Sequence, residues 1–432
     1  MTARNGRSAV RRIALARLVD VTGSGAAFAA LAFIMFMITG RSASWVSWTL
    51  LLTIGVQGFV QPVASWLGDR FDRRRVLVTS SLLAACGFAA MAVARTPTQL
   101  LVLAGITAIL EAPIFSVSSS VIPNLVEEQD LAWANGQVSL GRNVGSLIGP
   151  ILGGALVAML APGTDPNHDE LRTAGALIFG VNAASFLISA WIVGRTPGRF
   201  SESRDDADDD RSVRAGVRFV LADPVLRAVT FGWVALILGA GLILVAEVGL
   251  ADLFGQGSLG YGILSALWGG GAAAGAVLAG RFLNARREAI SLVATIAVGG
   301  AAMFVVALSP WWGLVLALML VAGLAEGWSG VAEQGVFQRR TPDELRSRVN
   351  GFVEACVLLA FGVSFLIGGP IVDRFGPRSA YLVGAVGAFV ALFVMAPAVR
   401  DLMRSNAAAD VHDEAIATAL EPSFKPSPSS AV

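Results

Sequence analysis

The chain has 432 residues, of which 55% are hydrophobic and 15% charged, against about 25% charged in an average soluble domain. Its many long apolar runs exclude a single soluble core, and with it a soluble enzyme. The formal net charge of +1 names no partner, because the information lies in where the arginines fall.

A spanning helix needs roughly 20 mostly apolar residues, and its backbone polar groups must be satisfied within the helix. Twelve spans are read by hydropathy, near 14–38, 44–66, 76–95, 98–122, 131–160, 173–194, 225–248, 258–280, 288–308, 311–335, 350–371 and 379–399. Arg4, Arg7, Arg11 and Arg12 precede the first, which is too long for a cleaved signal and lacks a cleavage site. Span 1 carries Arg17 and Asp20, then Gly23-Ser24-Gly25, which suits close helix packing. Between spans 2 and 3 lies Ser65-Trp66-Leu67-Gly68-Asp69-Arg70-Phe71-Asp72-Arg73-Arg74-Arg75, too short for a domain, so its charges must hold neighbouring helix ends. Span 4 holds Glu111. Span 5 holds Arg142, followed by Gly145-x-x-x-Gly149-Pro150-x-x-Gly153-Gly154. Small residues at that spacing make a groove for a neighbour, and the proline bends the helix.

Residues 195–224 break the pattern with Thr196-Pro197-Gly198, an acidic run at Asp205, Asp206, Asp208, Asp209 and Asp210, and an amphipathic stretch over Ser212–Ala222. They are read as a linker between a first half, 1–194, and a second half, 225–404. The tail, 405–432, is expected to be disordered, being rich in Ala, Ser, Pro and acid. In the second half, Trp233, Trp268 and Trp328 lie within spans 7, 8 and 10, where they are candidates to stack an apolar ligand. Glu247 falls close to the end of span 7 and ranks below the acids placed deeper: Glu326 and Glu333 in span 10, Glu354 in span 11. Thr341-Pro342-Asp343-Glu344 reads as a capping box that opens span 11, with proline at its first position.

With the N-terminus in the cytoplasm, the loop at Arg70–Arg75, the linker and the arginines after spans 8 and 10 all fall inside, which satisfies the positive-inside rule. Both termini are then cytoplasmic. That topology accounts for the basic clusters without nucleic acid. Cys86 and Cys356 lie in spans and form no disulfide framework; no zinc spacing, metal site or phosphate-binding loop is present, and no cofactor is implied.

The halves repeat in the same orientation. Leu101-Val102-Leu103-Ala104 matches Leu314-Val315-Leu316-Ala317, Leu110-Glu111 matches Ala325-Glu326, and Glu127–Gly136 aligns without gaps with Pro342–Gly351. The loop after span 2 resembles the signature G-x-L-A-D-R-x-G-R-K-x-x-L of the major facilitator superfamily through Leu67, Asp69, Arg70, Arg73 and Arg74, with Ser65 and Asp72 replacing its glycines. The glycine-proline run of span 5 resembles the fifth-helix motif of drug:proton antiporters. Ile122-Pro123-Asn124-Leu125-Val126, and Gly369-Pro370-Ile371-Val372-Asp373-Arg374-Phe375-Gly376-Pro377-Arg378, resemble the macrolide-efflux and siderophore-exporter branch.

This resemblance implies an all-α polytopic membrane fold of twelve helices in two parallel-repeat six-helix bundles, with a substrate site between them near midplane. It implies a gate in which Asp69, with Arg70, Arg73 and Arg74, meets the start of span 11 at Thr341. It also implies an acid at the inner end of span 4 holding a loop arginine, where this chain has Asn124. Intramembrane ionisable residues are default functional candidates. Glu326, Asp20 and Glu111 are expected proton carriers; Glu111, Arg142 and the three tryptophans are expected around the ligand. At ~1.5 Å per residue, Glu111 and Arg142 reach similar depths, so a buried pair is feasible. The function expected is proton-coupled efflux of an amphipathic small molecule by a monomer in a bacterial inner membrane. A proton-coupled importer and a transport-inactive sensor or scaffold are the alternatives.

Overall fold

The computed structural model describes residues 3–198, 200, 213–284 and 287–420. The acidic run at 205–210 lies outside the described residues, as do the side chains of Asp69 and Asp343. Among the described residues, twelve helices are long and apolar enough to cross a membrane. They are spans 1–6 at Gly6–Ile38, Ala43–Gly68, Arg73–Ala92, Pro97–Ser118, Leu131–Leu160 and His168–Gly194, and spans 7–12 at Pro224–Leu253, Gly257–Phe282, Glu288–Leu308, Trp312–Arg340, Glu344–Phe375 and Pro377–Asp401. A linker helix, Val213–Ala222, packs against spans 7 and 11. The spans form two six-helix bundles. The face that carries the turn at Phe71–Asp72 is called here the arginine face.

Local sequence explains where the helices start. Asp72 caps span 3 by accepting from Arg75 N at 3.0 Å. Asn167 and Glu170 close a reciprocal capping box on span 6. Asp223 accepts from Val225 N and Leu226 N at 2.8 and 3.0 Å, with Pro224 beside it at the first helical position. The expected capping box at span 11 does not form. Pro342 takes the cap position, no side chain caps the helix, and Thr341 ends the preceding helix with its hydroxyl buried and unpartnered. Proline has no N–H and fixes its own φ, so it shifts the start by one residue. The final helix runs on to Leu420, past the boundary set at 405 by composition, because the stretch Ala407-Ala408-Ala409 and its surroundings are strong helix formers.

The glycines of span 5 let span 1 approach to backbone contact. A Cβ on Gly149 would lie 2.7 Å from Thr22 O and 2.9 Å from Gly25 Cα, and one on Gly145 would lie 3.0 Å from Thr22 N. Gly153 meets Ala26, whereas Gly154 faces Ser258 of span 8. Pro150 bends the helix so that one stripe serves two neighbours: span 1 in its own bundle, span 8 in the other. Span 2 is broken by a π-helical turn at Leu51–Gly55, a feature common at functional sites.

Candidate functional site

Two polar clusters lie within the bundles, one in each half. In the first, Arg17 pairs with Asp20 at 3.2 Å, one helical turn apart on span 1. The same guanidinium donates to Ile114 O at 3.1 Å and to the Ser118 hydroxyl, reaching across to span 4. Asp20 is 3% exposed and also accepts from Ser189 of span 6 at 3.3 Å, while its other oxygen has no partner. Glu111 accepts from Ser24 at 3.1 Å. Arg142 does not pair with it: the two line one cavity with Asp20, Ser24 and Phe115, but Arg142 is exposed and makes no ion pair with Glu111 among the described residues. Equal depth left the rotation of spans 4 and 5 undetermined, and that rotation separates them.

In the second cluster, Trp268 of span 8 donates its indole N–H to Glu326 of span 10. Glu326 and Trp268 line an apolar cavity with Trp233, Thr295, Met303 and Ser329. Trp328 turns away from it and donates to Ser291 Oγ of span 9 at 3.1 Å, a packing contact. Glu111 stands fourteen residues after Pro97 and Glu326 fourteen after Trp312, so the two acids occupy equivalent places in the repeat. Glu333 and Glu354 are within electrostatic reach of each other, the latter exposed.

The sequence reading undervalued Glu247. It is 1% exposed, accepts from Ser265 Oγ at 2.7 Å, and keeps one oxygen without a partner. The hydroxyls of Tyr261 and Tyr381 are within its electrostatic reach, as is Glu326. The tyrosines sit on spans 8 and 12. The available signal was that both tyrosines of the chain begin spans at about the depth of Glu247.

At the arginine face, the arginines hold backbone carbonyls. Arg73 donates to Ser120 O at 2.7 Å at the end of span 4. Arg74 donates to Gly198 O at 2.7 Å, and its guanidinium lies 4.5 Å from the Phe200 ring centre. Asn124, standing where the resemblance implies an acid, donates instead to Phe200 O at 2.8 Å. The chain leaving span 6 is thus strapped beneath the first bundle. Arg70 is exposed. Arg7 donates two hydrogen bonds to Asp130, at 2.9 and 3.3 Å, and these hold the Asp130 carboxyl below its ordinary value.

Among the described residues, the named contacts between the bundles run from the membrane middle to the face opposite the arginines. Gly58 meets Leu358, Gly262 meets Pro150, Gly154 meets Ser258, and Ser47 hydrogen-bonds to span 11. The molecule is therefore sealed at that opposite face.

Two six-helix bundles packed about internal polar clusters define a polytopic membrane transporter. The chain matches the Major Facilitator Superfamily over residues 13–304 and 238–426 and belongs to that family. It is 25% identical over 362 residues to the enterobactin exporter EntS of Shigella boydii serotype 18, covering 79% of this chain and 80% of that protein. The EntS proteins of several Escherichia coli strains match equally, at 25% over 362 residues. Among solved structures, the chain resembles a bacterial homologue of the human lysosomal transporter Spinster in its inward-facing, unoccupied conformation, with TM-score 0.67, 16% identity and coverage of 94% and 98%. It also resembles the nucleoside transporter NupG, at TM-score 0.71, 12% identity and coverage of 90% and 98%. At these identities the structures share the fold alone.

Proposed function

We propose that this transporter exports an amphipathic small molecule of the siderophore or drug class across a bacterial cytoplasmic membrane, driven by proton entry. The observation that carries the reading is the match to an enterobactin exporter along four-fifths of both chains. The cavities support it. Their walls are apolar and aromatic, with Glu111 and Arg142 in one half and Glu326 beside Trp268 and Trp233 in the other. Such a lining suits a bulky ligand with a few polar groups. Intramembrane carboxylates that lack a cation are natural sites for a coupling proton. The arginine face is then cytoplasmic, and the face latched through spans 2 and 11 is the periplasmic one.

The test is expression in an efflux-deficient host challenged with catecholate siderophores, macrolides and dyes, with and without an uncoupler. Extrusion that the uncoupler abolishes is the expected result; energy-dependent accumulation inside the cell would make the protein an importer. Orientation is checked by labelling single cysteines from outside intact cells. A cysteine at Arg95 should react and one at Arg75 should not, both positions being exposed and at opposite ends of span 3.

A further inference from the structure

Span 2 begins at Ala43 on the sealed face, and its preceding residue, Ser42, makes no side-chain cap to it. The first N–H groups of a helix have no partner of their own and carry the positive end of its dipole. Here they are taken by the other bundle. Asp373, in the last turn of span 11, accepts from Ala43 N at 2.6 Å through one oxygen. Through the other it accepts from Ser44 N at 3.1 Å, Ser44 Oγ at 2.5 Å and Ser42 Oγ at 3.3 Å. The carboxylate is held in place from its own side. Gly376 ends span 11 in the left-handed region, at φ 80°. Arg378 then ties the following turn to Ser309 O at 2.8 Å. One turn deeper, Gly369 N donates to Ser47 Oγ at 3.0 Å, and a side chain on Gly369 would strike span 2.

We propose that Asp373 is a positioning residue of the transport cycle: it caps span 2 across the bundle interface and thereby latches the face opposite the arginines shut. Spans 2 and 11 run antiparallel, and both close on the same tripeptide, Asp69-Arg70-Phe71 and Asp373-Arg374-Phe375. A second tie across the same face joins Arg41 to Asp252 of span 7 at 3.0 Å. When the bundles part on this face, the caps of Ala43 and Ser44 pass to water. The latch contributes only to the sealed state, so its removal shifts the balance of states.

The test places spin labels at Arg95 and Trp311, exposed residues on this face in opposite bundles, in full-length protein with Cys86 and Cys356 replaced. Distances are read by pulsed electron resonance without substrate. Asp373→Ala and Asp373→Asn should raise the ratio of the longer to the shorter distance by about tenfold or more, tenfold being near the lower end for losing a hydrogen bond to a charged group. Ser44→Ala should act in the same direction more weakly, and Arg41→Ala should enlarge the effect of Asp373→Ala. Arg374→Ala, altering the neighbouring exposed residue, should leave the distribution unchanged. The proposal is overturned if both Asp373 variants, monodisperse and normally inserted, keep the parent distribution with or without Arg41. It is equally overturned if Arg374→Ala shifts the ratio as far as they do.

Discussion

Glu326→Gln is expected to abolish uphill, proton-driven transport while leaving ligand binding intact. Glu326 is held by the indole of Trp268, and no cation lies within ion-pair distance among the described residues. An ionised carboxylate is costly to enclose in an apolar site without a partner. A proton can supply the missing counter-charge whenever the cavity dries during the change of state. Glutamine keeps the shape and an acceptor for the indole but cannot give up a proton, so the variant should mimic the loaded acid permanently. Reconstituted into liposomes with an imposed pH gradient, it should move substrate only downhill, with the pH dependence of binding flattened. Glu111→Gln should behave differently. Its partner is Ser24 and it lies within reach of the Arg17–Asp20 pair, so binding or stability should suffer instead. Should Glu326→Gln still transport uphill with unchanged sensitivity to the gradient, the assignment fails. Glu247, within electrostatic reach of Glu326, is then the next residue to test.

Every span was legible, because hydrocarbon thickness imposes a length and a composition that hydropathy reads directly. The ends read at 131–160 and 288–308 coincide with helices Leu131–Leu160 and Glu288–Leu308. Arg17 and Asp20, three residues apart, share a helix face, and in the structure they pair. Glu326 stood out because it recurs with Glu111 in the repeat; that Trp268 donates to it and Trp233 shares its cavity comes from the structure. What depth does not fix is rotation about the helix axis. Glu111 and Arg142 stand at similar heights yet do not pair, and Trp328, two residues beyond Glu326, points to span 9 instead of the cavity. Glu247 was undervalued because its distance from the helix end said nothing about the neighbours that bury it, which come from spans 8 and 12. The role of Asp373 was invisible for the same reason, since its partners lie some 330 positions earlier in the chain.

Breaking the Arg17–Asp20 pair from one side should be the most destabilising single change in the first bundle. Arg17 joins three spans: it pairs with Asp20 on its own helix, donates to Ile114 O and Ser118 on span 4, and fixes the carboxylate that Ser189 of span 6 also contacts. Both side chains are nearly inaccessible, at 11% and 3% exposure. Arg17→Ala therefore leaves a buried carboxylate with one hydroxyl donor and an oxygen already lacking a partner. Removing one member of a buried pair costs about 3–5 kcal/mol. Asp20→Asn should cost less, because it keeps an acceptor for Arg17 and Ser189 and strands no negative charge; Arg17 retains two donors' worth of bonds to span 4. The two substitutions are in contact and should not add. The double variant Arg17→Ala/Asp20→Asn is expected to be more stable than Arg17→Ala alone. Thermal unfolding in detergent, read at matched protein concentration, gives all three values. A double variant no more stable than Arg17→Ala would mean that the stranded charge is not the source of the loss. Span 1 would then be held to span 4 mainly by the guanidinium's bonds to Ile114 and Ser118.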